Sequence, residues 1–216
     1  MLHNDCYNPD VSYALARDAA LRVLTDSCIK DAVFLVGGLV PWMASGGNSP
    51  RLHGDVDFTV PIDAMPTVRR WLMESGLYAA ALDSQNLRCN AARADYGVHA
   101  LIDGVIVSFC PFYFEGRTLH QRNASLLCAD GFEALFAADI EGIDEKDYIE
   151  KRVLPDGGKI GSSTLEACRA AKVCSDRPKD QIDIAEIDRL GYDEQRFERL
   201  RSAFEAMTIT CVAHEN

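Results

Sequence analysis

Two hydrophobic periods alternate along the first half of the chain and predict its elements. Apolar side chains at near-helical spacing predict helices, and short apolar runs bounded by Gly, Pro, Asn or Asp predict strands. The predicted helices cover residues 9–29, 38–45 and 65–75, and the predicted strands cover 32–36 and 55–60. Asp10 or Ser12 can cap the first helix, and Pro41 lies in the first turn of the second, where an N–H is not needed.

Turn residues divide the middle of the chain into hairpins. Asp103-Gly104 separates two apolar runs, 98–102 and 105–109, and Asp-Gly in this setting is a strong hairpin signal. Pro155-Asp156-Gly157 predicts a second hairpin between residues 148–154 and 158–161. Residues 131–137 predict a helical turn.

The pattern becomes helical after residue 162. Ser163 and Glu166 match a capping box that opens a helix to about Val173. Two further helices are predicted over residues 179–190 and 193–207. We therefore expect an α/β (α+β) fold with a mixed sheet flanked by helices. Its predicted domains are an α/β domain over 1–161 and a C-terminal helical subdomain over 162–216.

Composition and charge narrow the class of protein. The chain has 216 residues, is 48% hydrophobic and carries a formal net charge of −11. This charge disfavours extended nucleic-acid binding, which relies on Lys and Arg. We expect no membrane span and a cytoplasmic location, because the apolar runs are short and the N-terminus lacks a signal-peptide pattern.

Eight cysteines are present, and they show neither a C-x-x-C pair nor a paired histidine motif, which disfavours a zinc site. Cys28, Cys110, Cys168 and Cys174 fall in apolar or helical stretches and are expected to be buried thiols.

Candidate chemistry is concentrated between residues 33 and 60. In the predicted strand 55–60, Asp55 and Asp57 point to one face, while Val56, Phe58 and Val60 point to the other. Two neighbouring carboxylates repel unless a cation lies between them, and such a pair suits Mg²⁺ held together with substrate phosphates. The preceding Gly37-Gly38 allows a backbone to approach a phosphate closely. Together these residues indicate metal-dependent chemistry on a nucleotide.

Two motifs resemble a known family. The order strand, Gly37-Gly38, helix and strand with Asp-x-Asp resembles the nucleotidyltransferase superfamily of the DNA polymerase β type. The segment RLHGDVDF (51–58) is similar to small antibiotic-modifying and toxin-type members, which commonly carry an Arg and a His before the two acids. The segment AKVCSDRPKDQID (171–183) resembles the Lys…Arg-x-Lys-Asp-x-x-Asp helical motif of abortive-infection toxin-type members.

This resemblance implies nucleotidyl transfer. Asp55 and Asp57 would be catalytic and would bind Mg²⁺ or Mn²⁺, and a nucleoside triphosphate (NTP), most simply ATP, would lose pyrophosphate to an attacking hydroxyl. The implied nucleotide-binding residues are Gly37, Gly38, Arg51, His53, Lys172 and Lys179. Arg177 is a further candidate for binding the triphosphate. Asp180 and Asp183 are expected to orient these basic side chains or their helices.

One departure from the family pattern bears on activity. Many members carry a third acid on a later strand, where this chain has Ser108. A serine cannot replace a carboxylate as a base or as a hard metal ligand, and His99 on the partner strand is a candidate base. Two hypotheses follow: an active transferase, or a catalytically degenerate nucleotide-binding protein on the same fold.

A metal-dependent phosphohydrolase is a third hypothesis, disfavoured by the five scattered histidines. For an active transferase, the acceptor is a small molecule, an RNA end or a protein, and the acidic balance favours the first and last.

Overall fold

The computed structural model describes residues 10–88, 90–127, 132–175 and 177–213, without the side chains of 125–127, 132, 133, 212 and 213. The helices are α1 (Tyr13–Thr25), α2 (Val40–Ser45), α3 (Met65–Glu74), α4 (Glu145–Tyr148), α5 (Leu165–Ser175), α6 (Pro178–Leu190) and α7 (Glu194–Glu205). The strands are β1 (Phe34–Val36), β2 (Val56–Pro61), β3 (Leu82–Asp83), β4 (Val98–Ile102), β5 (Val105–Glu115), β6 (Thr118–Leu127), β7 (Phe132–Glu141), β8 (Ile149–Val153), β9 (Lys159–Ser163) and β10 (Thr208–Ala213). Cys6, Cys89, Cys128 and Asp176 lie outside the described residues.

These strands form one mixed sheet in the order β10-β7-β6-β5-β2-β1-β9-β8. The β2–β5 and β1–β9 pairs are parallel and the other pairs along this path are antiparallel. β5 changes partner along one edge: up to Phe109 it pairs with β4, and from Phe112 it pairs with β6. Pro111 lies between the two pairings, and its missing N–H makes it compatible with such an interruption. The predicted mixed sheet flanked by helices is confirmed.

The main core lies between the sheet and the helices α1 to α3. Val56, Phe58 and Val60 are buried, as the strand period predicts. The rings of Phe58 and Phe109 stack with centroids 5.6 Å apart, so β2 and β5 are joined by side chains as well as by the backbone ladder. Helices α5 and α7 cover a second cluster that includes Phe112 and Tyr148. Buried side chains therefore hold in place the strand that carries the candidate carboxylates.

Several local predictions need correction. The first helix spans Tyr13–Thr25 rather than 9–29, and Ser12 caps it through Leu15 N–H. Residues 132–137 belong to strand β7, not to a helical turn, because pairing with β6 outweighs the helical preference of this Ala- and Leu-containing stretch. Strands β6 and β10 were not predicted, and β10 adds a strand to the region expected to be helical. The domain boundary at 161/162 stays a prediction.

The residue that caps α5 is Thr164, not Ser163. Thr164 Oγ1 accepts a hydrogen bond from Ala167 N–H, while Ser163 is still part of β9. The predicted burial of the four thiols holds for Cys168 but is wrong for Cys28, which is exposed in the turn after α1, and Cys110 and Cys174 are half-buried. No helix in the described ranges is both long and apolar enough to cross a membrane.

Candidate functional site

The Gly37-Gly38 turn lies directly against one of the two candidate carboxylates. Gly37 follows β1 with φ of 76°, a conformation that favours glycine. A Cβ atom at this position would lie 3.1 Å from Asp57 Oδ2. The turn continues into α2, with Pro41 near its start as predicted. The backbone of Gly37 therefore lies against the Asp57 carboxylate with no side chain between them.

Asp55 and Asp57 lie at the start of β2, where Asp57 is in register with Val36 of β1 and Ser108 of β5. Burial, reinforced by the negative charge of Asp55, raises the pKa of Asp57 to about 8. A carboxylate pair held so unfavourably fits a divalent cation, since Mg²⁺ combines one or two acids with substrate phosphates. The described residues contain no group of three His, Cys, Asp or Glu placed to hold a metal. Phosphate oxygens and water would complete such a site.

Ser108 joins the acid pair to a histidine across three adjacent strands. Its hydroxyl lies 2.9 Å from His99 Nδ1, and Ser108 is in register with Asp57 on the neighbouring strand β2. Burial lowers the pKa of His99, while a hydrogen bond to the Ala124 carbonyl and the charge of Asp55 act in the opposite direction. His99 is therefore neutral at pH 7. In the tautomer with N–H on the other ring nitrogen, Nδ1 accepts the hydrogen bond from Ser108.

The downstream motif forms a buried charged cluster behind the turn. Lys172 Nζ on α5 donates to Asp180 Oδ1 at 2.9 Å and to Asp183 Oδ2 at 2.7 Å. Both carboxylates lie on α6 and are fully buried. Burial by itself raises the pKa of Asp183, but hydrogen bonds from Arg51 and the charge of Lys172 bring it below the usual range. The cluster locks α5 to α6.

Arg51 connects this cluster to the glycine turn. It donates to Asp183 through Nε at 3.1 Å and through Nη2 at 2.6 Å. Trp42 Nε1 of α2 also donates to Asp183 Oδ1, at 2.8 Å. A Cβ atom on Gly38 would lie 2.0 Å from Arg51 Nη2, so only glycine leaves room for this guanidinium. Trp42 and the central role of Asp183 were not predicted, because both depend on tertiary contacts.

Arg177 and Lys179 bring positive charge near the two acids. Arg177 Nε donates to Asp180 Oδ2 at 2.7 Å, and this bond raises the pKa of Arg177. The negative charges of Asp55 and Asp57 raise it further. Lys179 is exposed, and within the described ranges its side chain forms no ion pair. Its charge acts to lower the pKa of Asp57. A basic side chain in this position is available to an anionic ligand.

His53 is a buried member of the neighbourhood rather than a surface residue. It is 2% exposed, and its Nε2 has no hydrogen-bond partner among the described residues. Burial lowers its pKa to about 4, and the charge of Arg51 acts in the same direction. Its backbone pairs with Val11. Because its pKa is lowered, the imidazole of His53 is neutral at pH 7.

The structure thus places every predicted site residue around one region, but in different ways. Asp55 and Lys179 are exposed and Asp57 is half-buried, whereas His53 and Lys172 are buried. Asp180 and Asp183 pair with the basic side chains that they were expected to orient. Because Lys172 and Arg51 are occupied by carboxylates, their direct contact with phosphate stays a prediction.

Three solved structures resemble this chain in fold. The lincomycin-bound crystal structure of the lincosamide antibiotic adenylyltransferase LnuA aligns with a TM-score of 0.54 at 12% identity, over 85% of this chain and 100% of that chain. The solution structure of the antibiotic-resistance factor ANT(2'')-Ia aligns with a TM-score of 0.53 at 16% identity, over 89% and 93%. The crystal structure of ANT(2'')-Ia with adenylyl-2''-tobramycin aligns with a TM-score of 0.53 at 16% identity, over 88% and 98%.

No protein-family model and no curated protein sequence matches the chain. At these identities the structural likeness establishes the architecture. The chain has the nucleotidyltransferase fold that its glycine turn and acid pair indicated.

Proposed function

We propose that the chain transfers a nucleoside monophosphate from an NTP, with ATP as the first candidate, to a hydroxyl group of a small molecule. The observation that carries this proposal is the packing of the Gly37 backbone against Asp57, which lies beside Asp55. A Cβ atom on Gly37 would lie 3.1 Å from Asp57 Oδ2. A phosphate chain on this turn would lie next to the acid pair. The fold neighbours, an adenylyltransferase of lincosamides and a protein solved with adenylylated tobramycin, support the same chemistry.

Asp55 and Asp57 are the residues that would hold Mg²⁺ or Mn²⁺. The pKa of Asp57, raised mainly by burial and further by the charge of Asp55, supports this assignment, because a nearby cation would stabilise both carboxylates in their charged form. When bound, the cation neutralises charge on the transferring phosphate and fixes its orientation. Lys179 and Arg177 add positive charge from the start of α6. Lys172 and Arg51 act from behind, by holding Asp180 and Asp183 in place.

His99 is the proposed proton acceptor. The attacking hydroxyl gives its proton to Ser108 Oγ, and the proton of Ser108 passes to His99 Nδ1, which lies 2.9 Å away. The new bond joins the acceptor oxygen to the α-phosphorus, and pyrophosphate leaves. The imidazole suits this task because its lowered pKa keeps it unprotonated and free to accept a proton. This arrangement would supply the base that the missing third acid provides in other members.

The acceptor is proposed to be small because the chain offers little positive surface to a polymer. The net charge is −11, and three of the basic residues around the site, Arg51, Lys172 and Arg177, are already paired with Asp180 and Asp183. An NTP donor and the free thiols of the described cysteines are both compatible with a cytoplasmic location.

Calorimetric titration with ATP, GTP, CTP and UTP in Mg²⁺ tests the proposal. We expect saturable binding of at least one NTP, which the double variant Asp55→Asn/Asp57→Asn loses. Asp63→Asn is the matched control, since Asp63 is an exposed acid just after the same strand. Absence of binding to all four nucleotides would overturn the proposed function.

A nucleotide-binding protein without catalysis is the second candidate, and Ser108 is the observation that favours it. The two candidates differ in product formation. Release of pyrophosphate from a bound NTP supports the transferase. Tight binding without pyrophosphate release, with lincomycin, tobramycin or water as the hydroxyl source, supports the binding protein.

A further inference from the structure

A cavity of about 300 Å³ opens beside the Gly37 turn. It lies between the ends of β1 and β9, strand β6 and helix α5. Its polar end carries Lys172 and Arg177, and its inner wall is formed by small or apolar side chains such as Ala167, Ala171 and Phe204. A ligand whose phosphates lie on the turn could therefore extend an uncharged group into this cavity.

One polar atom in the wall has no partner. Ser163 lines the cavity and is only 3% exposed, and its Oγ forms no hydrogen bond with any of the described residues. Such a buried hydroxyl is costly unless something pairs with it. Its neighbour Ser162, also buried, points elsewhere: its Oγ donates to the Ser163 carbonyl and accepts from Arg152. The unpaired hydroxyl is thus a feature of the cavity wall and not of the whole strand.

Gln121 of strand β6 supplies a second polar group in the cavity wall. Its Nε2 donates to the Tyr148 hydroxyl, and both residues line the cavity. Burial raises the pKa of Tyr148 to about 12, so this hydroxyl stays neutral. The wall therefore combines apolar surface with uncharged hydrogen-bonding groups, which is the chemistry that suits a flat heteroaromatic ring.

We propose that this cavity binds the nucleobase of the donor nucleotide, and that the Ser163 hydroxyl hydrogen-bonds to the edge of the base. The inference rests on the proposed function, because it needs an NTP on the Gly37 turn. Gly37 itself lines the cavity, which connects it to phosphates on the turn rather than to an unrelated ligand. Ala171 and Phe204 contact the faces or edges of the base.

Binding of inorganic tripolyphosphate separates the base from the phosphates. Each of the four NTPs and tripolyphosphate is titrated in Mg²⁺ into the wild type, Ser163→Ala, Ala171→Trp and the control Ser162→Ala. Ala171 is exposed on α5 at the rim, so a bulky side chain there obstructs the cavity without entering the core. Circular dichroism checks that each variant is folded.

We expect the preferred NTP to bind the wild type at least ~10-fold more tightly than tripolyphosphate. Ser163→Ala should weaken the NTP by about 5-fold, the value of one hydrogen bond, and leave tripolyphosphate unchanged. Ala171→Trp should remove the preference for the NTP, and Ser162→Ala should retain it.

Equal binding of NTP and tripolyphosphate by the wild type overturns the nucleobase assignment while leaving the phosphate site in place. Unchanged NTP affinity in both Ser163→Ala and Ala171→Trp overturns it as well. If neither NTP nor tripolyphosphate binds, the proposed function itself fails.

Discussion

Arg51 and Asp183 are joined by two hydrogen bonds, Nε to Oδ1 at 3.1 Å and Nη2 to Oδ2 at 2.6 Å, although 132 positions separate them in the chain. Arg51 belongs to the loop before β2, and Asp183 lies in the middle of α6. A planar guanidinium matches a carboxylate in this two-point geometry, and both groups are largely withdrawn from water. The pair therefore fixes the loop that leads into β2 and its two candidate metal-binding acids against the C-terminal helix α6.

Loss of the Asp183 charge should destabilise the fold. We expect Asp183→Asn to lower the free energy of unfolding by about 3 kcal/mol, because Lys172 and Arg51 then lose their shared counter-charge in a buried setting. Urea denaturation followed by circular dichroism measures the change.

The matched control is Asp188→Asn on the same helix. Asp188 pairs with Arg169 at 2.8 Å, but its side chain is 46% exposed, so the loss should stay below about 1 kcal/mol. Similar losses in the two variants would contradict the role of burial at Asp183.

His53 should make stability depend on pH. Burial holds the folded pKa at about 4, below the unfolded value of about 6.5. The folded state then binds fewer protons, so the stabilising contribution is full above pH ~6.5 and is lost as the pH falls towards 4.

We expect the wild type to lose on the order of 2 kcal/mol more than His53→Phe between pH 7 and pH 4. Denaturant titrations at both pH values measure the difference. It isolates His53, because the acidic groups titrate in both proteins. Parallel stability curves for the two proteins would show that His53 is not held neutral.

Asp57 should respond to divalent cations. Burial and the charge of Asp55 raise its pKa to about 8, so stability is present below its unfolded pKa of ~3.9 and is lost as the pH rises through the folded value. In EDTA at pH 8, Asp57→Asn should therefore melt at a higher temperature than the wild type. Mg²⁺ should raise the melting temperature of the wild type and of the exposed-acid control Asp63→Asn, but not that of Asp57→Asn. A stabilisation of all three proteins by Mg²⁺ would place the cation elsewhere.

Replacement of His99 should separate catalysis from binding. We expect His99→Asn to slow pyrophosphate release by about 10²-fold or more, the usual contribution of a general base, with little change in the Kd of the NTP. Ser108→Asp supplies a carboxylate beside Asp57, and in that background His99→Asn should have a smaller effect. Coupled pyrophosphate assays and calorimetry measure the two quantities. An unchanged rate in His99→Asn would remove His99 from the mechanism.

Local patterns predicted the centre of the fold, since the residues there obey simple periods. Gly37-Gly38 and the alternation around Asp57 place the turn and the face of β2 correctly. The far side of the sheet was missed because β7 contains Ala and Leu, which favour helices, and its conformation is decided by pairing with β6. The run Thr208–Ala213 contains β-branched residues that favour a strand, but it follows a helix directly and was not predicted.

The site could be predicted as a set of residues but not as a set of partners. The motifs identified Lys172 and Asp183, yet they gave no indication that Trp42 donates to the same carboxylate. The contact between Ser108 and His99, by contrast, follows from the predicted Asp103-Gly104 hairpin, whose two-residue turn sets these residues opposite each other. The Trp42–Asp183 contact joins distant segments, and no local period encodes it.

The hydrogen bond from the Trp42 indole to Asp183 gives the chain a built-in optical reporter. The sequence has only two tryptophans, and the other, Trp71, donates to Asp26 in a separate part of the molecule. Indole emission shifts in wavelength and intensity with nearby charge. In a Trp71→Phe background, any ligand that rearranges the Arg51–Asp183–Lys172 cluster would therefore change the fluorescence without an added label, and the arrival of a nucleotide could be timed in a stopped-flow instrument.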